Sequence, residues 1–263
     1  MKSNNVNIFV LSGLMLILLV GTSTSIYNQE PRQRCWRRAK TIEKAELITS
    51  QVNATGLPIE IVFEKGRTFN HPLMAIWVED LEGNYIQTLY VAKSIAKGFY
   101  MHGDASTGRW QPGEIRRPAA LPYWSHQRGI QYDDGLYLPT KNNPMPDAIT
   151  GPTPKSSFRL LTQTPHNELR QFRVLFEINQ SWDWNHYWHN NKYPDDTDYK
   201  TSSQPALVYE TMVDLDAQSQ VFELKPIGHS HWSGKTGELF TDLSTLTTAL
   251  NIVKQISVRI SEK

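Results

Sequence analysis

A single cysteine, Cys35, stands in 263 residues. A lone thiol excludes an intramolecular disulfide framework and a cysteine-based zinc site. An excess of one charge sign is also missing. Lys and Arg number 27 against 26 Asp and Glu, a net charge of +1, so no global basic field points to nucleic acid as a partner. Long apolar runs are absent apart from Ile8–Gly21, whose fourteen residues fall short of the roughly 20 that span a bilayer comfortably. No internal repeat occurs, and no Gly-x-Ser-x-Gly elbow offers a hydrolase nucleophile. What is present is a 39% hydrophobic fraction, enough to bury a core and exclude wholesale disorder, and an 11% aromatic fraction with eight Trp.

The apolar run fits the hydrophobic region of a secretory signal peptide, and Thr22-Ser-Thr-Ser25 offers small residues for cleavage after Ser25. Residues 1–25 are therefore expected to be a signal peptide or an uncleaved membrane anchor. Arg32, Arg34, Arg37, Arg38 and Lys40 follow the run, while Lys2 and the amino terminus precede it. That asymmetry runs against the positive-inside rule for an outward-facing anchor. Residues 26–56 are polar and read as a linker with a short helix near Lys40–Ser50. Residues 57–263 read as a single domain.

The domain text is mainly β. Leu57–Phe63, Leu73–Val78 and Tyr85–Val91 are apolar and β-branched, and a Gly-Asn turn joins the last two as a hairpin. Phe172, Val174, Phe176 and Ile178 alternate with polar residues, interrupted by Leu175. Ala206–Leu215 and Gln220–Leu224 are expected to pair around a turn. Asp242 can cap a helix whose residues Leu243, Leu246, Leu250 and Val253 fall on one face. Many short strands, two long aromatic-rich loops (Gly98–Pro154 and Ser181–Gln204) and one C-terminal α-helix predict an Ig-like β-sandwich.

Four constellations carry possible chemistry. His186 and His189 lie three apart, and His229 and His231 two apart, spacings at which imidazoles can share a zinc or copper ion. Asp183, Asp195, Asp196 and Asp198 are nearby candidate carboxylates; hydrogen-bonding and stacking is the competing role for the histidines. Gly228 to Gly234-Lys235-Thr236 imitates a phosphate loop, but five residues separate the glycines where four are needed. The phosphate-loop reading therefore fails, and no nucleotide is expected as a partner. Trp182, Trp184, Tyr187 and Trp188 crowd seven residues, either as a stacking platform for a sugar, flavin or haem, or as a satellite core. Trp124 and Trp232 are candidates for the same ligand-binding surface. Lastly, Asp147-Ala-Ile-Thr-Gly-Pro-Thr153 resembles the Asp-x-x-Ser/Thr-Gly-Ala-Thr motif on whose last threonine a flavin transferase esterifies FMN. Thr153 would be the acceptor. Pro152 stands where that motif has alanine, and a Pro/Gly turn is the competing reading.

Several phrases together resemble a bacterial family of predicted periplasmic proteins of unknown function. They are His71–Leu89, Leu121-Pro-Tyr-Trp-Ser125, Pro146–Gly151, Glu177–Asp183 and Ser203–Tyr209. The resemblance covers roughly residues 57–260 and implies an Ig-like sandwich. Members of that family often occur beside PepSY-type membrane proteins and flavin transferases, which implies a link to an extracytoplasmic redox or iron-related system. It implies no catalytic residue. The expected function is a non-enzymatic accessory or binding module with a membrane protein as partner. The alternatives are a metal- or flavin-dependent redox protein and a carbohydrate-binding module.

Overall fold

The structure, a computed structural model, describes residues 45–50 and 56–260. The leader and most of the polar linker lie outside the described residues. The fold is mainly β, with sheets in a sandwich-like arrangement and three short helices. One sheet has five strands in the order β1 (Glu46–Thr49), β8 (Phe158–Gln163), β2 (Pro58–Lys65), β13 (Val253–Ile260) and β11 (Val221–Glu223). The other has six, in the order β12 (Lys225–His229), β10 (Leu207–Asp214), β9 (Gln171–Asn179), β3 (Leu73–Glu79), β4 (Tyr85–Ala92) and β7 (Thr150–Gly151). A separate two-stranded ribbon joins β5 (Phe99–Asp104) to β6 (Gln111–Glu114). The helices are α1 (Lys93–Lys97), α2 (Pro122–Gln127) and α3 (Thr197–Ser202).

The six-stranded sheet is buried on both faces. Successive strand residues point to opposite sides, and on β3 Met74, Ile76 and Val78 face the five-stranded sheet while Leu73, Ala75 and Trp77 face outward. The outward side chains join a second core with α1, α2 and the chain between them, including Ile95, Leu121, Trp124 and Leu138. The long aromatic loop is thus the cover of the second face. Leu175 no longer interrupts a pattern: Phe172, Val174, Phe176 and Ile178 fill the inner core and Leu175 the outer one. The β3–β4 hairpin is present as expected, closed by the Asp80 amide donating to the Asn84 carbonyl at 3.0 Å and by the Asn84 amide donating to Asp80 Oδ1 at 2.7 Å.

Three local expectations are corrected. Part of the linker is strand rather than helix: β1 runs parallel to β8, with Glu46 opposite Phe158. β10 and β11 do not pair with each other; β10 lies between β9 and β12, whereas β11 pairs with β13 in the other sheet. The turn between them is a corner where the chain changes sheets. The C-terminal α-helix is replaced by turns and one 3-10 turn at Ala249–Asn251. Asp242 does accept the Ser244 amide at 2.9 Å, and Leu246 and Val253 are buried as the periodicity asks. Helix formation is prevented by tertiary partners: the Thr245 carbonyl accepts from Asn185 Nδ2, and the Thr247 amide donates to Gln204 Oε1 at 2.8 Å. An α-helix would need both groups for its own ladder.

Candidate binding cavity at one end of the six-stranded sheet

The start of β3, the end of β4 and the end of β9 lie at the same end of the six-stranded sheet because the three strands alternate in direction. The chain leaving β4 forms α1 at once and reverses at Gly98, whose φ of 57° is left-handed backbone that a glycine adopts without a Cβ penalty. The ribbon strand β5 then rises beside α1. These segments, with Arg117, Pro152, Thr153, Ser181 and Trp182, enclose a cavity of about 880 Å³. That lies within the roughly 300–1,000 Å³ of small-molecule sites.

The walls are of two kinds. Leu73, Phe99, Tyr100, Met101 and Trp182 supply apolar and aromatic surface. Lys93, Lys97 and Arg117 supply cationic groups and His71 and His102 supply imidazoles; among the described residues the lining contains no Asp or Glu. Lys97 is paired with Asp147 at 2.8 Å. The Arg117 guanidinium sits 4.9 Å over the Tyr100 ring, within range of a cation–π contact. Burial pushes the Tyr100 hydroxyl well above the usual phenol range. Two walls carry backbone strain: His71 has φ 50° and Trp182 φ 63°, values uncommon for residues with a Cβ. Such outliers concentrate at binding sites.

Thr153 belongs to this cavity through the segment that precedes it. Asp147 holds α1 by its ion pair with Lys97, and β7 runs parallel to the end of β4. The Tyr90 hydroxyl donates to the Pro152 carbonyl at 2.7 Å. Gly151 lies so close to the Tyr90 ring that an added Cβ would stand 2.8 Å from Cε2. The glycine of this motif is therefore required for packing, and it delivers Thr153 to the cavity wall in a fixed backbone.

The five candidate tryptophans do not form one surface. Trp124 is a wholly buried residue of α2, its indole N–H donating to Thr88 at 3.0 Å. Trp188 is core, donating to Thr245 at 3.1 Å, and Trp184 packs edge-on to Tyr199 with ring centres 5.8 Å apart. Trp232 lies at a second cleft with Asp195, Asp196 and Asp198. Two rings already stack on it, His231 at 4.1 Å and Tyr193 at 5.1 Å. Trp182 remains, 55% exposed and at the cavity.

The histidines are likewise distributed. His186 and His189 are exposed, and His229 and His231 are buried. His229 Nδ1 lies 2.8 Å from the Ser230 carbonyl, its ring stacked on Phe240, and His231 Nδ1 accepts the Ser233 amide at 3.2 Å. Burial lowers the pKa of both. Among the described residues no three His, Cys, Asp or Glu side chains are placed to hold a metal ion.

Arg117, Lys93, Lys97, Phe99, Tyr100 and His71 were not marked by the sequence. The one local signal was the adjacent pair of arginines that ends Glu114-Ile-Arg-Arg117 inside the aromatic loop. No family model, curated protein or solved structure matches this chain.

Proposed function

We propose that the protein is an exported accessory module of a membrane-associated redox system, an Ig-like sandwich that binds its ligand in the cavity at the end of the six-stranded sheet. The observation that carries the binding role is the cavity itself, with aromatic walls and cationic groups not balanced by any acidic lining residue. Export to the periplasm is supported by the leader Ile8–Gly21 and its small-residue flank. The membrane partner is supported by the resemblance to proteins encoded beside PepSY-type membrane proteins. The ribbon bordering the cavity offers an accessible arm for such a partner, with Met101 68% and Trp110 58% exposed.

A photo-crosslinking residue in place of Trp110, in cells of the native host, is expected to capture an integral membrane protein. A position on the far sheet, Val221, is expected to capture none. Equal capture from both positions, or none from either, sinks the partner reading.

Covalent FMN is a second reading, favoured because Thr153 lines this same cavity. The cationic groups present fit a phosphate and the aromatic side chains fit a ring system. FMN, when bound, would supply one- and two-electron transfer. The chain's own part is positional: Tyr90 anchors the Pro152 carbonyl, and the prolines on either side of Thr153 stiffen its backbone. After co-expression with a flavin transferase, intact mass is expected to rise by one esterified FMN in the wild type and not in T153A. No mass gain in the wild type removes the flavin reading and leaves the binding module standing.

A further inference from the structure

Resting on the reading of this cavity as the binding site, we propose that its ligand carries an anionic group on a flat apolar body. The anion is a phosphate, sulfonate or carboxylate, and Arg117, assisted by Lys93, recognises it.

The charge of the lining is local rather than compositional. The whole chain carries only +1, yet among the described lining residues three are Lys or Arg and none is acidic. Lys97 has its counter-charge in Asp147. Among the described residues, Lys93 and Arg117 form no direct ion pair, although Lys93 lies in the field of Asp147. Arg117 is also partly taken out of water. Its Nε is shielded from solvent and has no hydrogen-bond partner among the described residues, and its guanidinium lies over the Tyr100 ring. A guanidinium with one shielded donor unpaired and no ion-pair partner among the described residues can take up an anion without giving up an existing ion pair. The ring below it limits the orientations of the fork, which suits the planar, two-point recognition of phosphate, sulfonate or carboxylate.

The remainder of the cavity sets the body of the ligand. Phe99, Met101, Leu73 and the exposed ring of Trp182 offer faces and edges for an aromatic or alicyclic plate. A neutral sugar would leave Arg117 without an ion-pair partner, and a simple inorganic anion would leave the apolar wall wet.

The test uses two dyes that share an aromatic body. 1-Anilinonaphthalene-8-sulfonate carries an anion, and N-phenyl-1-naphthylamine is the same body without it. Fluorescence titration of the purified chain is expected to show the sulfonate binding at least about tenfold tighter, the scale of a charge-assisted hydrogen-bond pair. R117M is expected to erase that preference while changing the affinity for the neutral dye less than about twofold. W182A is expected to weaken both dyes alike. Because Arg117 is partly buried, the exposed K93A serves as the second variant, with a several-fold loss for the sulfonate alone. A phosphate monoester and a carboxylate added as competitors separate the candidate anions. Equal affinity for the two dyes, or a sulfonate preference that survives in folded R117M and in K93A, overturns the proposal and leaves the cavity as a neutral binding site. Failure of both dyes to bind overturns the cavity reading as well.

Discussion

Raising the pH from about 5 to 8 is expected to cost the folded protein several kcal/mol, and Glu177→Gln is expected to remove most of that loss. Glu177 lies on the outer face of β9, wholly buried, and its two carboxyl oxygens accept the Tyr123 amide at 3.2 Å and the Trp124 amide at 2.7 Å. These are first-turn amides of α2, so one side chain satisfies donors that the helix leaves unpaired. Burial pushes the carboxyl up to about 8, and the two amides only partly counteract it. Below the ordinary carboxyl value of 4.5 both folded and unfolded chains hold the proton. Between there and about 8 the unfolded chain has released it and the folded one retains it, so stability falls as pH rises. Above that window both are ionised and the loss is complete. A difference of this size corresponds to about 4–5 kcal/mol, taken as an upper figure. His229 and His231, both lowered by burial, act in the opposite direction below about 6.5. The informative quantity is therefore wild type minus E177Q in urea titrations across this range. E177Q carries no charge but keeps one acceptor oxygen for the two amides, so it is expected to lie about 1–3 kcal/mol below wild type at pH 5 and to close or reverse that gap by pH 8. E177A is expected to lie about 3 kcal/mol below wild type at pH 5, because two buried amides lose their acceptor, and the gap is expected to close toward pH 8 because this variant also lacks the titrating group. A wild-type profile parallel to E177Q would defeat the assignment.

The second large effect is expected at Arg173. Its guanidinium bridges two carboxylates on the outer face of the same sheet, Glu79 at 3.0 Å and Glu210 at 2.5 Å. Glu79 is inaccessible to solvent and also accepts the Trp77 indole N–H at 2.7 Å. Burial raises the Glu79 carboxyl despite Arg173. Removing the arginine leaves a buried charge without its partner, a change that costs about 3–5 kcal/mol. R173M is expected to lose that much at pH 8. The loss is expected to shrink toward pH 5, where Glu79 can take up a proton. E79Q in the R173M background is expected to restore part of it, since glutamine can still accept from Trp77 and carries no charge. Urea midpoints of the four proteins form a double-mutant cycle. Additive losses would show that the pair is not coupled and that Arg173 contributes through packing alone.

Both effects sit beneath the long aromatic loop, which was legible in the sequence only as irregular text. Pro122-Tyr-Trp-Ser125 carries no hydrophobic period, because α2 is six residues long and is anchored by a carboxylate 53 positions away. Strands read well because alternation and β-branching are local. β3, β4 and β9 occupy the expected segments, and Gly83-Asn84 forms part of the expected turn. The late helix failed for the same physical reason that α2 was hidden. Leu243, Leu246 and Val253 do pack inward, but Asn185 and Gln204 claim the intervening backbone groups. A periodicity reports which side chains are buried; it does not report which groups the backbone bonds.

For the binding site the division is sharper. Alternation and turn chemistry were enough to read the chain as mainly β, and to show that most of its tryptophans fall between the expected strands. The sequence also picked out Thr153 and Trp182, which line the cavity. Only the tertiary structure decided that Trp124 and Trp188 are core and that the histidine pairs form no common site. Only it gathered Arg117 and Lys93 beside those two residues. His71, Lys93, Arg117, Thr153 and Trp182 come from separate segments. What unites them is that antiparallel strands place the beginning of one and the ends of its neighbours at a single edge. No spacing along the chain records that coincidence, because it is created by pairing between strands far apart in sequence.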